Sequence, residues 1–476
     1  MADGRNAAAA TAASSAGGMT PHRRELFLWA GLATAALAIA GVFALLLALS
    51  RIPGIEAFVS WPLDFFHKGL VIHVVFSFIV WFLAVLAALT TLVTPAGGAR
   101  RLAGVGLPAV AAAAVALPLL FVPAFVDRGD ATLNNYVPVI INPLYYIGLV
   151  VLGLAVAAVV LRLLANLRWR TLVAEPLTAT VAAAGAIYLL ALICFALAWR
   201  LLLGEAPSHA FNEDLFWGGG HVLQFANTAL MLAAWALLAA RLTDSGRTVV
   251  PAGFTLAAAL LVLWALPAPV FYLAFPAFSA EQTEAFTSLQ YALAPPVLIA
   301  MIALRGRLTG PWRSGDSAQL ALVLSVLVFA AGGLLGLFVD GADTRTPAHY
   351  HGVIAGVTLA LMGVFYAVLL PGLGRAPAGR RLVRWQLHLF AWGQLAACIG
   401  LFLAGGHGAP RKVAGAAQGL DGLGAVAGMA MNGLGGLIAV IGGVLFVWIV
   451  AAALLRAPDA AGTAAATVAP SATRRP

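Results

Sequence analysis

Twelve long apolar runs divide the chain, and short polar segments rich in glycine, proline and charge separate them. The runs cover about residues 25–50, 69–93, 102–126, 139–164, 177–203, 214–240, 249–275, 283–304, 318–339, 349–373, 385–406 and 430–455. A helix needs roughly 20 apolar residues to cross the hydrocarbon of a bilayer. Barrel strands would be shorter and would alternate apolar with polar positions. Runs this long therefore predict helices, which satisfy their own backbone polar groups in lipid. The fold class expected is an all-α integral membrane protein with twelve transmembrane helices. One membrane domain is expected over residues 25–456, with no internal repeat and no second domain. The segments 1–24 and 457–476, rich in alanine and small polar residues, are expected to be disordered tails.

Composition agrees: 62% of residues are hydrophobic, 9% are charged, and mean hydropathy is +0.97. A soluble domain could not hide that much apolar surface. The formal charge of +9 raises nucleic acid as a partner, but its distribution argues against it. Arginines gather at every second loop, as at Arg23/Arg24, Arg162/Arg168/Arg170, Arg305/Arg307 and Arg375/Arg380/Arg381. Intervening loops are mixed or acidic, with Asp127/Asp130, Glu205/Glu213 and Asp340/Asp343. That is the positive-inside pattern, and it places both termini in the cytoplasm. Cys194 and Cys398 lie within apolar runs and read as small core residues, so no disulfide framework is implied. The N-terminal residues lack the charged-then-apolar order of a signal peptide.

Four of the nine histidines fall inside runs: His73 in the second, His221 in the sixth, and His349 and His351 in the tenth. Each lies in the first turns of a helix expected to start at the outer face. At ~1.5 Å per residue they would share a depth to within several ångströms. A lone membrane histidine is well explained by a hydrogen bond to a neighbouring helix. Four at one level point to a shared site. His349 and His351 are two residues apart, a rotation of about 200°, so they face different sides and cannot grip one ion together. Haem iron takes imidazole axially, and one helix can hold a haem on each flank. His73 could then supply the second axial ligand to one haem, and His221 would face the other.

The segment "PAHYHGVIAGVTLALMGVFYAVLLPG" resembles the tenth helix of subunit I of the haem-copper oxidase superfamily. "HKGLVIHVVFSFIVWF" resembles that family's second helix, closest in look to the B-type branch, and "NYVPVIINPLYYIGL" its fourth helix with the preceding loop. "LAGGHGAPRKV" is similar to the loop after helix eleven. The resemblance covers about residues 25–455 and implies a haem-copper oxidase subunit I-like bundle. It implies His73 and His351 as axial ligands of a low-spin haem and His349 as the proximal ligand of a high-spin haem. It implies Arg411 and Lys412 as a pair holding haem propionates, where fixed cations suit buried carboxylates. A solvated loop pair is the plain alternative for these two. His221, in "FWGGGHVLQFANT", matches the sixth-helix ligand of the non-haem metal.

The chain also departs from that pattern. Oxygen-reducing members carry two adjacent histidines on helix seven, where this chain reads "LWALPAPVFYLAF". Three imidazoles suit copper, and one does not make a comparable site. Phe225 stands four residues after His221, where many oxidases carry a tyrosine. Gln224 and Tyr272 are the candidate replacements near the gap, with Glu213, Asp214, Glu281 and Glu284 at the outer helix ends. Ligands of this mix suit iron better than copper. Alternatively, Gln224 bonds a neighbouring helix, Tyr272 packs at the interface, and His221 donates to a haem-bound ligand. The inner halves of helices six to eight contain only Thr255 as a polar residue, so no proton wire from the inside is legible.

Taken together, the resemblance implies a respiratory oxidoreductase of the bacterial-type cytoplasmic membrane. Electrons would pass from the low-spin to the high-spin haem and reduce nitric oxide or oxygen, with nitric oxide favoured by the missing tyrosine and proton wire. Two haems, with a non-haem iron or copper as a further possibility, are the cofactors expected. His349, His221 and Tyr272 are the catalytic candidates. Membrane lipid and a cytochrome c or copper-domain subunit are the partners expected, and nucleic acid is not. A non-catalytic haem protein for electron transfer or gas sensing is the alternative. A transporter is disfavoured, because the repeat symmetry of transporters is missing.

Overall fold

The computed structural model describes residues 19–50, 63–95, 101–126, 129–242, 252–310, 316–339, 341, 343–377, 379–413 and 418–456. Its described residues contain twelve helices long and apolar enough to cross a membrane. In chain order these spans are Pro21–Leu49, Phe66–Val93, Ala103–Ala124, Pro143–Asn166, Pro176–Leu201 and His209–Arg241, then Gly253–Ala274, Ala280–Leu308, Ser317–Phe338, Arg345–Gly372, Arg380–Gly406 and Leu423–Leu455. Each corresponds to one predicted run, but several begin earlier. Hydropathy marks only the apolar part of a helix, whereas the backbone stays helical until a cap ends it. The sixth span starts at His209 because Ser208 accepts a hydrogen bond from the Phe211 amide. His221 thus lies twelve residues along its helix, while His349 and His351 are four and six residues past Arg345. The apolar runs alone implied a more even placement. The first span begins at Pro21, inside the segment expected to be a tail; residues 1–18 and 457–476 lie outside the described residues.

Burial sorts the bundle into centre and rim. In the most apolar part of the sixth span 94% of residues are buried inside the protein, against 22% in the eighth. The second and tenth spans are also central. They carry three of the four intramembrane histidines. They meet where Trp81 stacks on Phe365, with ring centroids 5.3 Å apart and Phe446 edge-on to both. The eleventh and twelfth spans pack backbone to backbone through Gly393, Gly400, Gly428 and Gly435, where a side chain would strike the facing main chain.

At the end opposite the histidines, a buried ion pair ties the first four spans. Arg162 grips Glu25 with both terminal nitrogens, at 2.8 and 2.5 Å, and Thr91 donates to the same carboxylate at 2.8 Å. Gly106 of the third span leaves room for both charged groups. At the histidine-bearing end a short antiparallel hairpin pairs Ala131–Thr132 with Val139–Ile140. Residues 133–138 form its turn.

Candidate functional site

The start of the tenth span is fastened on three sides. Asp343 accepts from the Arg345 amide at 2.8 Å and pairs with its guanidinium at 2.7 Å. Thr344 donates to the Leu401 carbonyl at 2.8 Å, and its amide donates to Ala409. These bonds set the Arg411–Lys412 loop beside the His349–His351 turn. His349 then reaches the ninth span, where its Nδ1 lies 2.8 Å from the Gly332 carbonyl. A carbonyl only accepts, so Nδ1 carries the proton and the lone pair sits on Nε2, the form that ligates a metal. Gly332 crosses Gly352 backbone to backbone, and Gly336 makes room for the His349 ring. The His351 ring stacks on Tyr350, with centroids 5.2 Å apart.

His73 repeats the arrangement on the second span. Its Nδ1 donates to the Ala40 carbonyl of the first span at 3.1 Å, again leaving the lone pair on Nε2. Two residues on, the helix widens into a π-turn over Val75–Val80, a feature common at functional sites. Ser77 donates to the His73 carbonyl at 2.6 Å, compensating the altered ladder.

His221 is different. It is 1% exposed, and both ring nitrogens have protein partners. Nδ1 donates to the Trp217 carbonyl at 2.8 Å, and the Tyr136 hydroxyl donates to Nε2 at 2.8 Å. The rings of Tyr136, Trp217 and Phe286 surround it at centroid distances of 4.4, 4.8 and 6.1 Å. The preceding glycines build this box. Gly220 admits Tyr136, Gly219 admits Phe195, and Gly218 admits Tyr272 and Phe286. Burial, and then the carboxylate of Glu213, push the Tyr136 phenol well above the ordinary tyrosine value, so it remains a donor.

The other candidates do not gather on Nε2 of His221. Gln224 folds back to the Gly220 carbonyl at 3.4 Å. Tyr272 packs on Phe286, centroids 5.4 Å apart, and Phe286 in turn packs against His221. Lys412, in a left-handed conformation, donates to the Leu133 carbonyl, and Arg411 donates to Asn135 at 3.3 Å. Both cations thus hold the hairpin turn. Burial and the neighbouring Arg411 hold the Lys412 ammonium below its ordinary range, while Glu213 opposes the shift. Lys412 and Glu213 also line a cavity of about 270 Å³ with His67, His209 and Thr132.

Haem fits the residues present. His73, His349 and His351 keep accessible surface although their helices are central. Among the described residues the second and tenth spans make few close backbone approaches near those histidines. Two of the imidazoles are held in the ligating tautomer. A non-haem metal does not fit. Among the described residues no group of three or more His, Cys, Asp or Glu side chains is placed to hold one, and Nε2 of His221 already accepts from Tyr136.

Tyr136, Gly332 and Ala40 escaped the sequence reading. Ala40 and Gly332 act through carbonyls, which leave no trace in residue type. Tyr136 had a signal in "WGGGH": three successive glycines in a helix mark close approaches by neighbouring side chains.

The family described as Cytochrome C and Quinol oxidase polypeptide I matches residues 24–445 of this chain. An uncharacterised protein of Rickettsia prowazekii is 23% identical over 88% of this chain and 94% of its own length. One from Aquifex aeolicus is 28% identical over 72% of this chain and 84% of its own length. A cryo-EM structure of a haem-copper terminal oxidase dimer has a similar fold, with a TM-score of 0.75. That likeness spans 93% of this chain and 85% of that one, at 15% identity.

Proposed function

The chain belongs to the Cytochrome C and Quinol oxidase polypeptide I family, the subunit I family of the haem-copper oxidases, and we propose that it is a haem-dependent membrane oxidoreductase that reduces a small gas. The observation that carries this reading is the pair of hydrogen bonds that orient imidazoles for axial ligation, His349 to the Gly332 carbonyl and His73 to the Ala40 carbonyl. When bound, haem supplies electron transfer and an iron at which a diatomic gas binds. His73 and His351 would hold the low-spin group and His349 the high-spin one. Arg411 and Lys412, buried partly against the hairpin turn, would neutralise propionates from the same edge.

Nitric oxide is favoured over oxygen. Phe225 is fully buried and offers no hydroxyl where many oxidases carry a tyrosine. The arginine pattern supports cytoplasmic termini, with the histidine-bearing end toward the outer face of a bacterial-type cytoplasmic membrane. A cytochrome c or copper-domain subunit would deliver electrons there. Electrode traces of nitric oxide and oxygen consumption by the purified, reduced protein test the substrate. Consumption of nitric oxide is expected, and consumption of oxygen alone overturns the preference.

A second reading, electron transfer or gas sensing without turnover, is favoured by the sealed ring of His221. Carbon monoxide added to the reduced protein separates a gas-binding haem from electron transfer alone, and the electrode traces separate turnover from sensing. A spectral shift marks an open iron, and its absence leaves only electron transfer.

A further inference from the structure

We propose that Tyr136 occupies the coordination position of His221, so that this chain carries its haems without a second, non-haem metal. The inference goes beyond the haem reading above and stands on different residues. A metal at His221 needs the Nε2 lone pair, because Nδ1 is protonated toward the Trp217 carbonyl. That lone pair accepts the Tyr136 hydroxyl at 2.8 Å, a normal hydrogen-bond length. A metal would have to displace the phenol, and the phenol is held in place. Tyr136 sits in the hairpin turn, braced by the Val137 amide to Asn134 at 3.0 Å and by the Tyr145 hydroxyl to the Pro138 carbonyl at 3.2 Å. Its ring fills the notch left by Gly220 and lies edge-on to Trp217.

Among the described residues no group of three or more His, Cys, Asp or Glu side chains is placed to hold a metal there. Gln224 is turned back on its own helix, and Gln290 donates to the His221 carbonyl at 3.2 Å, away from the ring nitrogen. One imidazole without further donors does not hold copper or iron tightly. The glycine run, the phenol and the imidazole act as one unit. Gly220 leaves room for Tyr136, and Tyr136 satisfies the buried Nε2 of His221.

Metal analysis and a double-substitution cycle on the full-length, haem-loaded protein test this. Cells are grown with added copper and iron. Wild type and Tyr136→Phe should each contain iron equal to haem and no stoichiometric copper. Thermal inactivation of Tyr136→Phe, His221→Phe and the double variant should be non-additive, the double being no worse than the worse single. A further equivalent of iron or copper in the wild type overturns the proposal, and so does strict additivity. If His221→Phe fails to fold, the wild-type metal count still decides. Loss of haem from the wild type would sink the functional reading above while leaving the metal count readable.

Discussion

His349 donates its Nδ1–H to the Gly332 carbonyl at 2.8 Å, and Gly336, one turn further along the same helix, is bare where a side chain would run into that imidazole. The ninth span therefore sets both the tautomer and the tilt of the ring. Gly336→Val should turn the imidazole off its axis while the second and tenth spans keep their places. The carbon monoxide difference spectrum of the reduced protein should fall several-fold, with the low-spin bands retained. An unchanged carbon monoxide spectrum would contradict the placement.

If the two histidines of the tenth span hold separate haems, as proposed, their loss should be separable. His351→Ala should remove the low-spin spectrum and leave some carbon monoxide binding. His349→Ala should do the reverse. Visible spectra of the two variants check this, and equal loss of both signals in each folded variant would refute the assignment.

Far from the histidines, the Glu25–Arg162 pair makes a stability prediction. Removing one partner leaves the other charged and buried at the junction of four spans. Glu25→Gln should cost about 3–5 kcal/mol. Replacing both partners by apolar residues of similar volume should recover most of the loss. Inactivation rates in detergent at fixed temperature report the difference. A single variant as stable as wild type would mean that water reaches the pair.

The Tyr136 phenol gives a pH prediction. Its titration lies above that of an ordinary tyrosine, so the neutral donor persists where exposed phenols ionise, near pH 10. The sign is that raising pH to that point leaves the bond to His221 intact. Wild type minus Tyr136→Phe should therefore show no tyrosinate absorbance at about pH 10. A full tyrosinate signal there would mean the phenol is solvent-exposed.

The bundle was legible in the sequence because lipid imposes one solution on long apolar runs, and the family match and the similar fold agree with it. What hydropathy missed were helix starts such as His209, which depend on a single capping serine outside the apolar pattern. The histidines of the second and tenth spans could be singled out because an imidazole in hydrocarbon needs a reason. The bond between Tyr136 and His221 joins residues 85 positions apart, and no local pattern encodes such a pairing. Gln224 and Tyr272 were near His221 in sequence or in the expected packing order. Side-chain direction separates them: one folds back on its helix and Phe286 packs between the other and His221.

Haem stoichiometry tests the central claim most directly. The pyridine haemochrome spectrum of the purified chain, divided by its protein concentration, should give two haems per chain, one of them lost in His351→Ala. A colourless preparation of folded protein would contradict the haem assignment and the gas chemistry built on it.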